Sequence, residues 1–155
     1  MIHFKYRGEA VGKGRPRVTR RGGYIHTYTP EKTRLFEDAM RFELIASTCE
    51  SMPIYPAETP LKAKVLIGMK VPKSYSKKKR ERCLNGEIAP TKKPDIDNVL
   101  KSIFDALNGY AMSDDSQITE VIAEKIYSEN PFVEVTIFEQ REVDEAVQER
   151  QKDTV

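Results

Sequence analysis

The sequence contains little of what a disulfide scaffold, a zinc protein or a membrane protein needs. It has only two cysteines, Cys49 and Cys83, and they stand in no spacing typical of metal ligands. No apolar run approaches the ~18 residues that a membrane span requires, and the first residues lack the apolar core of a signal peptide. No internal repeat is visible. These absences predict a cytosolic protein with reduced thiols and no membrane partner. The length of 155 residues predicts a single domain.

Charge of both signs is abundant, but the two signs are separated along the chain. Residues 1–94 carry 21 Lys and Arg against 9 Asp and Glu, a net charge of +12. Residues 95–155 carry 5 against 15, a net charge of −10. The net charge of the whole chain, +2, hides this division. A basic surface of this size attracts polyanions, of which nucleic acid is the commonest.

Two basic segments are candidates for contact with DNA phosphates. The Gly-rich segment over residues 8–23 is typical of a mobile linker, and residues 72–93 favour an exposed stretch with a short helix. A run of charge is also compatible with a solvated face that binds nothing. The candidate DNA-binding residues are Lys13, Arg15, Arg17, Arg20, Arg21, Lys77, Lys78, Lys79, Arg80, Lys92 and Lys93.

Apolar periodicity predicts several strands and two main helices. Alternation predicts strands over residues 2–6, 24–28, 61–71, 117–127 and 132–138, the last two joined as a β-hairpin. A first helix is expected after Thr29-Pro30, with Thr29 as its N-cap. Its spacing places Leu35, Phe36, Ala39, Met40, Leu44 and Ile45 on one apolar side. A second helix is expected from Asp97 to the stop at Asn108-Gly109.

These elements predict an α/β (α+β) fold in a single domain over residues 1–138. We expect a small mixed β-sheet of about four to five strands, in the order β-β-α-β-α-β-β, with helices packed on one face. The sequence after residue 138 is acidic and weakly patterned. Residues 139–155 are therefore expected to form a weakly structured acidic tail.

Several carboxylates follow one another closely in the second half of the chain. Asp95 and Asp97 stand at the expected start of the second helix, where the helix dipole favours their ionised form. Asp114 and Asp115 lie on a loop after that helix, free to fold back toward its start. Three oxygens that converge there would suit Mg²⁺, which binds a few carboxylates and keeps several waters.

Each of these residues also has a purely structural interpretation. Asp97 is a typical N-cap residue, and Asp114-Asp115 suits a turn. Lys101 can form i,i+4 ion pairs with Asp97 and Asp105 on a helix surface. Taken together beside a basic half, the carboxylates favour a metal site on a phosphate-processing enzyme.

The same residues resemble a known family. Residues 93–101 read KPDIDNVLK, residues 104–109 read FDALNG, and residues 114–118 read DDSQI. This combination resembles the signature of the RusA-type Holliday-junction resolvases, which are common in bacteria and on prophages. Outside these segments the order of elements agrees more loosely, over roughly residues 2–138.

The resemblance implies a function and a role for each matching residue. Asp95, Asp97 and Asp115 would be the metal-binding catalytic acids, with Asp114 as the less certain ligand of its pair. Lys101 would be a catalytic electrophile near the scissile phosphate. The implied enzyme is a homodimer that uses Mg²⁺, with Mn²⁺ as a substitute, to cut symmetrically related strands of a four-way DNA junction. Such an enzyme acts in DNA recombination and repair, in the cytosol of a bacterium and encoded by host or prophage.

Two other functions stay open at this point. A different metal-dependent phosphohydrolase, acting on nucleotides or flaps, would use the same acids. A non-catalytic DNA-binding accessory protein would use them only for caps and ion pairs. The acidic tail lies outside the family pattern, and the segment over residues 8–23 varies within the family, so no individual DNA contact is carried over.

Overall fold

The computed structural model describes residues 1–140 and confirms a mixed α and β fold. Its strands are β1 (Ile2–Tyr6), β2 (Arg17–Arg21), β3 (Tyr24–Tyr28), β4 (Leu61–Lys70), β5 (Ile118–Ser128) and β6 (Phe132–Glu139). Its helices are α1 (Glu31–Ser47), α2 (Lys77–Leu84) and α3 (Ile96–Leu107), and a 3-10 turn covers Asp115–Gln117. Glu139, expected to open the acidic tail, is the last residue of β6, and residues 141–155 lie outside the described part.

The main sheet has the strand order β1-β6-β4-β5. Strand β4 pairs in parallel with β5 and antiparallel with β6, while β1 pairs antiparallel with β6. The expected β5–β6 hairpin is therefore wrong, because β4 lies between these strands. The alternating apolar residues of β4, from Leu61 to Ile67, are at most 3% exposed. Strand β4 is an inner strand of the sheet, paired with β6 on one edge and with β5 on the other, so its apolar side chains are buried.

Strands β2 and β3 form a separate two-stranded ribbon, here called the arm (residues 17–28). The expectation of a mobile linker is wrong for Arg17–Arg21, which is a strand. Gly22 and Gly23 have φ angles of +59° and +81° and connect the two strands. Two consecutive positive φ angles suit the tight turns that match strand twist, and glycine adopts them without strain. The glycines therefore make a hairpin turn rather than a flexible linker.

Helices α1 and α3 cover one face of the main sheet and enclose a single large core. Phe36, Met40 and Leu44 of α1 are buried there, but Leu35 and Ile45 are 57% and 49% exposed, against expectation. Only a narrow stripe of α1 is covered by the sheet and α3. The helix also begins at Glu31 with Pro30 in the N-cap position, one residue later than expected.

Helix α2 is the short helix expected between β4 and α3. Ser76 caps it by accepting a hydrogen bond from the Lys79 backbone N–H. Its buried Cys83 packs with Val71 and Tyr127 in a small second cluster. Across residues 1–140, every helix is too short or too polar to cross a membrane.

An ion-pair cluster around Lys13 fastens the loop after β1 to both large helices. The Lys13 ammonium lies 2.5 Å from Glu37 of α1 and 2.7 Å from Asp105 of α3. Burial alone would lower the pKa of Lys13, but hydrogen bonds to Asp105 and Glu37 outweigh burial and hold the pKa above 10.5. The Lys13 backbone N–H also donates to the Asn98 carbonyl at 2.9 Å. The loop is therefore held against the start of α3.

We expect Lys13→Met to destabilise the fold by about 3 kcal/mol, because it leaves the buried Glu37 carboxylate without its main partner. Adding Glu37→Gln should recover part of this loss, since the uncompensated buried charge is removed. Urea unfolding measures both changes, with Lys32→Met as the matched control on the exposed side of α1. A Lys13→Met loss no larger than that of the control would contradict this role.

Candidate metal and DNA-binding site

The amino end of α3 lies near the carboxyl-terminal edge of the parallel strands β4 and β5. Lys125 of β5 donates hydrogen bonds from Nζ to the carbonyl oxygens of Lys92 at 2.7 Å and Pro94 at 3.1 Å. These bonds fix the turn that immediately precedes Asp95. In open sheets with parallel strands, ligands bind in the crevice outside this edge.

Asp95 and Asp97 present two free carboxylates at this helix end. Asp95 is the N-cap residue of α3, and Asp97 lies in the first turn, so the N-cap interpretation of Asp97 is wrong. Asp95 makes no side-chain capping bond. Within residues 1–140, neither carboxylate has a hydrogen-bond or ion-pair partner. Both carboxylates lie at the positive end of the helix dipole, and their oxygens are available to a cation.

Lys101 lies one helical turn after Asp97 on an exposed flank of α3. The suggested ion pairs of Lys101 with Asp97 and Asp105 are absent from the described part of the chain. Asp105 bonds Lys13 instead. The Lys101 ammonium is therefore available to an anion.

An open cleft of about 380 Å³ lies beside Asp95, and a smaller hollow of about 240 Å³ adjoins it. The lysine side chains that line these two spaces define what we call the lysine cleft; they are Lys13, Lys32, Lys70 and Lys93. Lys13 is already paired, whereas Lys32, Lys70 and Lys93 have no partner among the described residues. Lys32 and Lys93 line the same cleft as Asp95, and Lys70 lines the adjoining hollow. Together these ammonium groups suit a phosphate backbone.

Sequence reasoning included Lys93 but missed Lys32 and Lys70. These two residues lie more than 20 positions away from the acidic segment, on α1 and at the end of β4. Only the fold brings them to the cleft. The alternation of lysines along β4 was the one available signal for Lys70, and no signal distinguished Lys32.

Asp114 caps the 3-10 turn at the start of β5, and Asp115 is the first residue of that turn; of the two side chains, only that of Asp114 is used by the local structure. The Asp114 carboxylate accepts the Ser116 backbone N–H at 2.8 Å, and Gln117 Oε1 accepts the Asp114 N–H at 3.0 Å. The bond with Ser116 holds the pKa of Asp114 below its usual 3.8. Asp115 has no such bond within residues 1–140. Asp114 is thus a capping residue, and Asp115 is the free member of the pair.

The structure places Asp115 at the opposite end of α3 from Asp95 and Asp97. Ile118, three residues after Asp115, pairs with Leu61 at the start of β4. Lys125, which contacts the turn before Asp95, lies seven residues further along β5, or roughly 23 Å. The twelve residues of α3 span about 17 Å between the same two ends. Asp115 therefore does not fold back toward Asp95 and Asp97 within one chain.

The donors of a single chain do not fit a three-carboxylate metal site. In the part of the chain that the structure describes, no three His, Cys, Asp or Glu side chains lie close enough to hold one ion. One chain offers a pair of carboxylates at one end of α3 and a single carboxylate at the other.

The remaining DNA-binding candidates lie on two exposed elements. Arg17, Arg20 and Arg21 belong to the arm, and Arg15 immediately precedes it. Lys77, Lys78 and Lys79 are exposed in the first turn of α2, whereas Arg80 of the same turn is half-buried and lies 4.0 Å from Glu129. Lys79 lies over the Tyr75 ring at 3.8 Å, and Lys92 lies 5.6 Å from the same ring. All of these cations stay accessible to solvent.

Comparison with known proteins identifies the chain's relatives. The model of the Endodeoxyribonuclease RusA family matches residues 7–138, which extend from the end of β1 nearly to the end of β6. "Uncharacterized protein YqaN" of Bacillus subtilis (strain 168) is 40% identical over 138 residues, covering 89% of this chain and 96% of that protein. The family match includes the acids, Lys101 and all four lysines of the lysine cleft.

The two neighbouring carboxylates should differ in their effect on stability. Asp114→Ala removes a cap and should lower the melting temperature, whereas Asp115→Ala should leave it nearly unchanged. Because folding depresses the pKa of Asp114 below 3.8, its contribution is complete above that pH and is lost as pH falls through the folded pKa. Thermal unfolding between neutral and acid pH measures this. A difference between wild type and Asp114→Ala that persists in strong acid would contradict the assignment.

Proposed function

This chain belongs to the RusA endodeoxyribonuclease family, and on that premise we propose that it is a Mg²⁺-dependent nuclease that resolves four-way DNA junctions in recombination and repair. The observation that carries the proposal is a pair of carboxylates, Asp95 and Asp97, that lack a partner within residues 1–140 and lie at the positive end of α3 beside the lysine cleft. Carboxylate oxygens that can bind a cation therefore lie beside lysines that attract phosphate. The bacterial cytosol is the compartment that we propose for this reaction.

The residues around Asp95 suit distinct tasks in phosphodiester hydrolysis. Lys32, Lys70 and Lys93 are suited to hold the DNA backbone against the helix end. Lys101, one turn from Asp97, is suited to stabilise the negative charge that grows on the phosphate in the transition state. A bound Mg²⁺ or Mn²⁺ would supply an activated water and neutralise charge on the phosphate oxygens.

Asp115 joins this site only if it comes from a second chain. About 17 Å of intact helix separates it from the other two acids in its own chain. A dimer with two-fold symmetry that sets the amino end of one α3 against the 3-10 turn of its partner brings the partner subunit's Asp115 to Asp95 and Asp97. The symmetry repeats this arrangement once. Two equivalent sites then match the two symmetrically related strands of a four-way junction.

One observation favours the non-catalytic alternative, a DNA-binding accessory protein. A chain that stayed monomeric would have no three-carboxylate site, as far as residues 1–140 show. Junction binding without nicking at any Mg²⁺ or Mn²⁺ concentration would support that alternative. Equal cleavage of a junction and of flapped or linear DNA would support a phosphohydrolase of broader specificity.

A shared site predicts complementation between two inactive variants. Asp95→Asn and Asp115→Asn alone should each reduce junction nicking by orders of magnitude, since each removes a ligand charge from both sites. In a mixed dimer, one site contains both substitutions and the other contains neither. Co-expressed variants should therefore recover about a quarter of the wild-type nicking rate, as single nicks rather than paired cuts.

The matched control mixes Asp95→Asn with Asp97→Asn. Both substitutions lie at the same end of α3, so every site of a mixed dimer carries one of them and no activity should return. Recovery in this control, or none in the Asp95→Asn with Asp115→Asn mixture, would contradict the shared site. Near-normal cleavage by each variant alone would contradict the catalytic role of the acids.

Lys101 distinguishes catalysis from binding. Lys101→Ala should lower the cleavage rate far more than junction affinity, and Lys101→Arg should restore it only in part, because a planar guanidinium replaces a compact charge poorly. Single-turnover cleavage at saturating enzyme is the measurement, and a Lys101→Ala rate within a few-fold of wild type would show that the side chain takes no part in the chemistry.

A further inference from the structure

The arm projects from the body of the protein beside the lysine cleft. All ten strand residues of the arm are exposed, and no helix or strand of the described chain packs extensively against it. Its base is fixed, because the Gly14 backbone N–H donates to Thr33 Oγ1 at 3.2 Å at the start of α1. Lys32 of the same helix turn lines the cleft. Since an isolated two-stranded ribbon is marginally stable in water, we expect a bound partner to order the arm.

The pairing register divides the arm's side chains between two faces. Residues directly opposite each other on paired strands share a face, and the faces alternate along each strand. The pairs Arg17–Tyr28, Thr19–His26 and Arg21–Tyr24 therefore lie on one face, here called the basic face. The pairs Val18–Thr27 and Arg20–Ile25 lie on the other, here called the apolar face. This division was not predicted from the sequence, because a linker was expected over residues 17–21 and Arg20 and Arg21 were therefore treated as equivalent.

The chemistry of the basic face fits DNA. Residues 10–30 contain five Lys and Arg and no Asp or Glu, so the arm complements a polyanion. Tyr24 is 75% exposed and Tyr28 is 45% exposed, and both flank arginines. Exposed aromatic rings beside cations are the means by which proteins hold unpaired bases, because every base offers a flat face for stacking.

We propose that the basic face of the arm binds the branch point of the DNA junction, with Arg17 and Arg21 on phosphates and with Tyr24 and Tyr28 stacked on base faces that the branch point exposes. This inference rests on the proposed function, and it assigns to the arm the selectivity of the enzyme for branched DNA. A continuous duplex keeps its bases stacked within the helix, whereas a branch point offers bases whose stacking is interrupted. The arginines attract any DNA, and the tyrosines favour branched DNA over linear DNA.

The test uses a four-way junction with a fluorescent 2-aminopurine at the branch point, and a linear duplex of the same sequence. Binding is measured with the full chain without divalent metal, so that no strand is cut. Tyr24→Leu/Tyr28→Leu keeps apolar bulk but removes the rings. It should lose at least about tenfold in junction affinity, lose the 2-aminopurine signal of the wild-type complex, and change duplex affinity by less than threefold.

Two control pairs make the result specific to stacking. Tyr24→Phe/Tyr28→Phe keeps the rings and should behave as wild type. Val18→Ala/Ile25→Ala alters the opposite face of the same ribbon and should keep both junction preference and signal. Unchanged junction preference in the leucine variant, or an equal loss in the Val18→Ala/Ile25→Ala variant, would overturn the proposal.

The arginines provide a second test of the two faces that the β2–β3 pairing register defines. Arg17→Gln/Arg21→Gln should reduce the slope of log affinity against log salt by roughly 1.8, whereas Arg20→Gln should leave it unchanged. A slope change for Arg20→Gln as large as half of that for Arg17→Gln/Arg21→Gln would overturn the assignment of faces. These binding readouts do not depend on nicking. A protein that binds junctions as described but never cuts them would therefore overturn the proposed function and leave this inference standing.

Discussion

The parallel pairing of β4 with β5 is the constraint on which the site depends. Parallel neighbours cannot be joined by a tight turn, so the chain must cross from the carboxyl end of β4 back to the start of β5. Helix α3 forms the part of this crossover connection that runs back toward the start of β5. Its amino end, with Asp95 and Asp97, must then lie near the edge where the cleft opens, and Asp115 must lie at the other edge. One topological feature thus places Asp95 and Asp97 at the cleft and separates Asp115 from them.

Local signals were sufficient for most elements, and non-local pairing was the main source of error. Strands β1, β3 and β4 and the body of α3 follow from apolar periodicity, and the position of Asp95 and Asp97 follows from the start of α3. The β5–β6 hairpin was wrongly predicted because a short connection between antiparallel strands is also compatible with a third strand between them. Arg17–Arg21 was missed as a strand because Gly22 and Gly23 indicate a turn and a linker equally well. The position of Asp115 depends on strand order, which periodicity does not determine.

The structure also separates carboxylates that fold the chain from those that it leaves free. Asp105 balances the partly buried Lys13, and Asp114 caps a turn, so both have structural partners. Asp95, Asp97 and Asp115 have no partner within residues 1–140. Two like charges at one helix end do not contribute to packing and repel each other unless a cation lies nearby. Folding therefore accounts for the first group, and the second group is available to the metal ion that we propose.

The attachment of the arm gives a physical reason why a small protein would place DNA recognition on so exposed an element. The base of the arm is tied to α1 through Gly14 and Thr33, and the same helix turn carries Lys32 of the lysine cleft. DNA held by the arm is therefore positioned relative to the amino end of α3 and not merely concentrated near the protein. Binding energy gained at a distance from the cleaved bond can then orient the phosphate against the free carboxylates. Linear DNA that contacts only the cations would bind without being positioned in this way, and selectivity for branched DNA would arise at the step of alignment.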